Sequence, residues 1–368
     1  MHTPDGLFKG LSEQQIAAFE TLKLRCAEAG LLSLPLALSD GEVEDGLNDD
    51  PTLLRFLRAR RYDVQGALKQ FKEARRTWET NNVSQLYNTM EIASFENARP
   101  LYPHWSGRRT KAGRPIFLFD FAYLNQTVLA SYEQSRSGSI SSAQGSLQQR
   151  EASTALDSVT RFVLPLCSAM KDRPDPTSPI TSGVFLVDLA AFTLKAGWGV
   201  KNYTQDISGL VATGYPEIVH QVFLLNAPSY FTMMWAIMRK WLDPDTAEKV
   251  QIPTASEALA TLSRYIDPEN IPRRFGGYFD WSHGMPVDLD AEIRGALSWR
   301  SEQKLPPGPI KWELDKSRRR TAVAVGSVDG TARAEKIAVL EDEAEQQKKT
   351  IEPEVMQTVE AVAQLSLE

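Results

Sequence analysis

The chain is poor in the residues that metal, redox and nucleophilic chemistry depend on. It holds 2 cysteines and 4 histidines in 368 residues. Cys26 and Cys167 stand far apart and form no CxxC pair, which fits free thiols in a reducing compartment. His2, His104, His220 and His283 are scattered without metal-ligand spacing, so no metal site is expected. No GxSxG, HExxH or Walker-type phosphate loop occurs, and Gly197-Trp198-Gly199 lacks the third glycine of a dinucleotide loop. An enzyme would have to work with carboxylates alone, and no pair of them stands out. The expected role is binding and not catalysis. A net charge of -6 supplies no domain-wide basic excess, which argues against nucleic acid as a partner. There is no run of 18 apolar residues, so no segment is expected to span a bilayer. The opening MHTPDGLFKG has no basic region leading into an apolar run, so no signal peptide is expected. The expectation is a cytoplasmic monomer whose membrane contacts are peripheral.

What the chain does have is one apolar stretch, NAPSYFTMMWAIMRKWLDPDTAEKVQI over 226–252. Free of glycine and proline between Pro228 and Pro244, it predicts a helix over 229–242. Tyr230, Phe231, Met233, Met234, Trp235, Ile237, Met238, Trp241 and Leu242 go almost all the way round that helix. A surface helix of a soluble protein is apolar along one stripe only. At about 14 residues it is too short to cross a bilayer, which takes about 20. Three roles are open: a buried core helix, a partner-binding helix, or a helix that meets lipid.

Upstream, Ser12 and Gln15 form a capping box, with Leu11 placed to staple against Ile16. Asp50-Pro51 and Asp63 open two further helices, so residues 1–90 read as a small all-helical domain. From 91 to 285 the pattern changes. Apolar runs at 116–121, 183–189 and 222–225 read as strands and alternate with helical segments. That is the α/β class, with a parallel or mixed sheet covered by helices. Within it, the Ser/Gln-rich stretch 131–149 reads as a loop or disordered insertion, and Pro165 as a kink in a helix. Residues 286–368 read as a partly disordered tail, with marginal helices at most through Val355, Val359 and Val362. Its Arg318-Arg319-Arg320 triplet is read as solvated charge, with contact to anionic lipid as the sharper alternative.

Six ordered motifs, DDPTLLRFLRARRYDVQGALKQF, GRPIFLFDF, FLVDL, YPEIVHQVFLLNAPSYF, WLDPDTAEKVQI and IDPENIPRRFGG, resemble the CRAL-TRIO lipid-binding family over about residues 45–280. Within that family they look most like the yeast-type phosphatidylinositol transfer proteins. The resemblance implies an apolar pocket floored by the sheet and closed by a gate helix at 229–242. The pocket and gate positions are Phe185, Tyr230, Phe231, Met233, Met234, Trp235, Ile237 and Met238. The headgroup positions are Arg60, Arg61, Glu217, Thr246 and Lys249. No cofactor is implied beyond bound phospholipid.

The headgroup set is chemically sensible. Thr246 and Lys249, three apart after Asp243-Pro244, would share a helix face and add a hydroxyl and an ammonium to the free amides of a helix start. Arginine supplies a planar fork for phosphate. Glu217 would repel phosphate but can accept hydrogen bonds from inositol hydroxyls. Taken singly, Glu217 and Lys249 are a plain ion pair and Arg60 a surface charge. Family members that also carry phosphatidylcholine place hydroxyl side chains on the strand matched by 183–189. Gly183 and Phe185 stand at those positions, which disfavours phosphatidylcholine and leaves room for a sterol or isoprenoid. Phe185 has ordinary core packing as its alternative.

The function implied is non-enzymatic binding of phosphatidylinositol and its transfer between membranes, with exchange of a second hydrophobic lipid through a gated pocket. The alternative is a lipid-sensing adaptor that presents phosphatidylinositol to a lipid kinase or other partner. A hydrolase ranks below both because it lacks a nucleophile motif.

Overall fold

A computed structural model of the protein describes residues 4–33, 41, 43–139 and 147–341. The helical pattern at Val355, Val359 and Val362 lies outside them.

Helix Glu13–Glu28 starts as its sequence dictates: Ser12 Oγ accepts from the Gln15 amide at 3.3 Å, and Gln15 Oε1 from the Ser12 amide at 2.9 Å. Helix Asp50–Ala59 begins one residue earlier than expected, with Asp49 at the cap. The Asp49 carboxylate makes no cap hydrogen bond to a helix amide; it accepts from the Gly46 amide at 3.1 Å and from the Thr52 hydroxyl. Asp63 caps Val64–Thr80 through the Gln65 amide at 3.0 Å. The apolar faces of these two helices meet in edge-to-face contacts of Phe56 with Phe71 at 5.0 Å and of Phe71 with Trp78 at 6.4 Å.

The central sheet runs β1 (His104–Arg109), β2 (Pro115–Asp120), β3 (Gly183–Asp188), β4 (Val219–Leu225) and β5 (Val250–Gln251), hydrogen-bonded in that order. β1 is antiparallel to β2 and the other pairings are parallel, so the sheet is mixed. Strand alternation gives it two apolar faces. Ile116, Leu118, Val184, Leu186, Phe223 and Leu225 pack under Leu262, Ile266, Ile271 and Phe275. Phe117, Phe119, Phe185, Val187, Val222 and Leu224 point the other way.

Four expectations are corrected. β1 was not visible in the sequence because its HWSGRR composition is polar; Arg109 is nonetheless buried, held by Asp172 and Asp290 at 2.7 Å each. The Ser/Gln-rich stretch is helical over Gln126–Ser139, where Tyr132 and Arg136 both donate to Asp206, at 2.7 and 2.9 Å. Residues 140–146 lie outside the described set. The irregularity expected at Pro165 falls earlier, in a π-helical turn at Val159–Val163; Pro165 sits in the first turn of Leu164–Ala169, where its missing N–H is harmless.

The fourth correction is the largest. Instead of a partly disordered tail, residues 297–340 form an antiparallel sheet of β6 (Leu297–Trp299), β7 (Ile310–Leu314), β8 (Arg320–Val328) and β9 (Thr331–Leu340), in the order β6-β9-β8-β7. β8 and β9 close on the two residues Asp329 and Gly330, both at positive φ, a tight hairpin turn that this dipeptide favours. Trp312 of β7 is 1% exposed, stacks on Phe162 at 5.2 Å and donates its indole N–H to the Phe162 carbonyl. The sheet therefore shares the core of the rest of the chain. Among the described residues, no helix is long and apolar enough to cross a membrane.

Candidate functional site

The apolar helix is shorter than expected: Phe231–Met238, followed by a 3-10 turn at Arg239–Trp241. It is no buried core helix. Phe231 and Met234 are 1% and 3% exposed, whereas Met233 is 65% and Ile237 36% exposed. The inward residues rest on the sheet face that carries Phe119, Val187 and Leu224. Phe231 meets Phe192 edge-to-face at 4.9 Å and stacks on Trp235 at 6.5 Å, and Tyr230 Oη donates to the Phe192 carbonyl at 2.7 Å. Trp235 and Met238 are half-buried in the same cluster.

Phe185 does not join them. Its ring stacks on Phe117 at 4.9 Å and packs with the core of the helical domain, the alternative that its position left open. Gly183 lies beneath that stack, where an added Cβ would stand 2.5 Å from the Phe117 ring. Neither position offers a hydroxyl.

Glu217 sits in the left-handed region (φ 59°) of the turn before β4. Tyr215 anchors that turn: it is fully buried, its hydroxyl donates to Asp157 at 2.7 Å, and its ring lies 5.8 Å from Trp78. Lys249 Nζ reaches Glu217 Oε2 at 3.2 Å, with both side chains about a quarter exposed at 26% and 30%. A pair so exposed contributes about 0–1 kcal/mol, so a competing polyol or phosphate could open it cheaply.

The geometry around Thr246 departs from expectation. Helix Pro244–Glu248 spans five residues, and Lys249 is its C-terminal cap and not a partner of Thr246 on one helix face. The Thr246 amide is already taken by Asp243 Oδ1 at 3.1 Å, so the helix start offers no ready anion site. Arg60 and Arg61 are exposed where helix Asp50–Ala59 ends. Among the described residues, neither pairs with Glu217 or Lys249. The structure thus joins two of the five headgroup candidates directly, Glu217 and Lys249.

Sequence reasoning passed over Arg55, which is 3% exposed and close enough for Glu217 and Asp49 to stabilise its charge against the cost of burial. Its three-residue spacing from Thr52, to which it donates at 3.1 Å, was the available signal. It also missed Arg274 of the RRFGG motif. That side chain bridges Asp120 (2.7 Å) and Asp188 (2.5 Å) at the paired carboxyl ends of β2 and β3.

The chain carries the two domains of the CRAL/TRIO family: the CRAL/TRIO domain matches residues 102–277, and the CRAL/TRIO N-terminal domain matches residues 28–73. A helical N-terminal region followed by an α/β domain with a mixed sheet is therefore the fold. The chain is similar to the SEC14 cytosolic factor of Eremothecium gossypii, at 27% identity over 237 residues, covering 64% of this chain and 71% of the relative. It is 29% identical over 235 residues to the SEC14 cytosolic factor of Candida glabrata, covering 62% and 70%. It is 25% identical over 248 residues to the phosphatidylinositol/phosphatidylcholine transfer protein SFH11 of Arabidopsis thaliana, covering 66% and 60%.

Proposed function

We propose that the protein is a non-enzymatic lipid carrier that binds phosphatidylinositol and moves it between membranes through the gate at Phe231–Met238, exchanging it for a second hydrophobic lipid. The observation that carries this reading is the split character of the gate. Phe231 and Met234 plug an apolar cluster while Met233 and Ile237 already face water. Two acyl chains carry on the order of 30 methylenes, whose exposure would cost roughly 25 kcal/mol, so a carrier needs a cover that opens at a membrane and nowhere else. The exposed methionine and isoleucine suit insertion at that boundary.

In this reading Glu217 and Lys249 exchange their mutual ion pair for inositol hydroxyls and phosphate. Thr246 adds a hydroxyl, and Arg60 and Arg61 supply further cationic reach. For the second lipid, the reading favours a sterol- or isoprenoid-like ligand in the apolar cluster under the gate, where Phe119, Val187 and Leu224 line the sheet. Gly183 and Phe185 offer no hydroxyl to a choline lipid, so phosphatidylcholine is expected to be a poor cargo, unlike that of the transfer protein whose name includes it. The carrier is cytosolic, monomeric and only transiently membrane-bound, with no cofactor.

The test is vesicle-to-vesicle transfer of labelled phosphatidylinositol. Lys249→Ala and Glu217→Lys should each slow it at least about tenfold, the loss of one charge-assisted contact. A wild-type protein that retains lipid but does not transfer it would instead be a lipid-sensing adaptor. Release of a cleaved product would make it a hydrolase. Phosphatidylcholine transfer as fast as that of phosphatidylinositol would refute the cargo preference.

A further inference from the structure

A second cavity, of about 610 Å³, lies away from the gate, between the loop at 43–52, helix Leu164–Ala169 and the C-terminal sheet. Its wall holds five cationic side chains, Arg55, Lys171, Arg318, Arg319 and Arg320, against three carboxylates, Asp45, Asp49 and Glu341. Two of the cations are committed: Arg320 pairs with Asp45, and Arg319 Nε with Asp315 at 3.2 Å. Arg55 is not. It is 3% exposed, it makes no ion pair among the described residues, and one guanidinium nitrogen donates to a neutral hydroxyl, Thr52 Oγ1. Its Nη1 is buried without any partner. Asp49 and Glu217 act on its charge from nearby without forming an ion pair, which leaves the guanidinium with unused hydrogen-bonding capacity inside the cavity.

The surroundings are built to hold an anion. Burial pushes the carboxyl of Asp49, which acts on the Arg55 charge, up to about 7, with Asp45 as a second cause. The loop is fixed in place. Gly46 lies at φ 74°, with its Cβ position 2.6 Å from the Thr160 carbonyl, and Arg320 of the C-terminal sheet clamps Asp45. The walls are therefore positioned before any ligand arrives.

We infer that this cavity, whose lining holds neither Glu217 nor Lys249, binds a phosphate-bearing anion, gripped by the Arg55 guanidinium inside and by Arg318 at the rim. The planar fork of arginine matches phosphate oxygens. The volume exceeds what inorganic phosphate needs and falls in the range of organic ligands. The shared chemistry is a phosphomonoester, carried either by a soluble sugar phosphate or by a phosphorylated lipid headgroup.

The full chain is titrated with soluble inositol 1,4-bisphosphate, and separately with phosphatidylcholine vesicles with and without phosphatidylinositol 4-phosphate. Binding of the soluble probe, or binding only of the phosphorylated vesicles, each supports the site and names its source. In either case Arg318→Gln, on an exposed residue that does not threaten the fold, weakens affinity about tenfold, and Arg55→Gln weakens it further. Arg318→Gln leaves the transfer of phosphatidylinositol between vesicles unchanged, so failure of the transfer reading and failure of the anion site are separately visible. No binding of either probe, or unchanged affinity in Arg318→Gln, would each overturn the inference.

Discussion

The two faces of the central sheet are equally apolar and differently covered. On one, Ile116, Leu118, Val184, Leu186, Phe223 and Leu225 lie beneath Leu262, Ile266, Ile271 and Phe275, and none of these ten exceeds 4% exposure. On the other, Val187 and Val222 are only partly buried, and their cover carries Met233 at 65% exposure. One face is sealed core. The other has a cover whose outer side is already apolar in water while its inner side, Phe231 and Met234, is buried against the sheet.

The largest effect expected from this contrast comes from two valines of one strand that point to opposite faces. Val184→Ala should cost about 2–3 kcal/mol in urea unfolding, the loss of buried methyls plus a cavity, and Val187→Ala about half as much. Equal costs would mean that the gate packs as tightly as the sealed face. Hydrogen exchange gives the next measure. Amides of 231–238 should exchange through local opening well before those of β2 and β3, which open only with global unfolding. Met233→Ser comes third: a change below about 0.5 kcal/mol in stability, but several-fold slower transfer between vesicles. Transfer at the wild-type rate would show that the exposed side of the gate does not touch the bilayer. The smallest effect is a control on the core as a whole. Cys26 and Cys167 are free and buried, and burial pushes their thiols up to about 11 and about 12. A thiol reagent at pH 8 should modify neither without denaturant.

The same contrast explains what the sequence could disclose. β2, β3 and β4 carry near-continuous apolar runs because both faces are buried, and such runs are visible in one dimension. The helix caps at Ser12 and Asp63 are local chemistry and equally legible. β1 was hidden because Arg109 is neutralised by Asp172 and Asp290, 63 and 181 residues away in sequence. The C-terminal sheet was missed although Asp329-Gly330 between two β-rich runs is a strong hairpin signal; its neighbouring charges drew the eye toward disorder. At the candidate site, Glu217 and Lys249 could be proposed because each sits in a motif, and the structure pairs their side chains at 3.2 Å. The shared face of Thr246 and Lys249 failed because the helix ends after five residues. Arg55 escaped because LLRFLR by itself does not tell which arginine faces inward, and the only signal was its spacing from Thr52.

Lys249 has a further property. Its carbonyl accepts from Val222 N–H of β4 at 2.9 Å, and at the other end of the short helix the Asp243 amide donates to Ser208 Oγ at 3.0 Å. The segment between gate and β5 is bolted to the frame at both ends, and the 3-10 turn Arg239–Trp241 that joins it to the gate rests Trp241 against Trp198 at 6.2 Å. In the proposed carrier, a lid mounted this way swings without moving the handle: a headgroup held at Lys249 would stay gripped while its acyl chains come and go, so the cargo is not dropped each time the door opens.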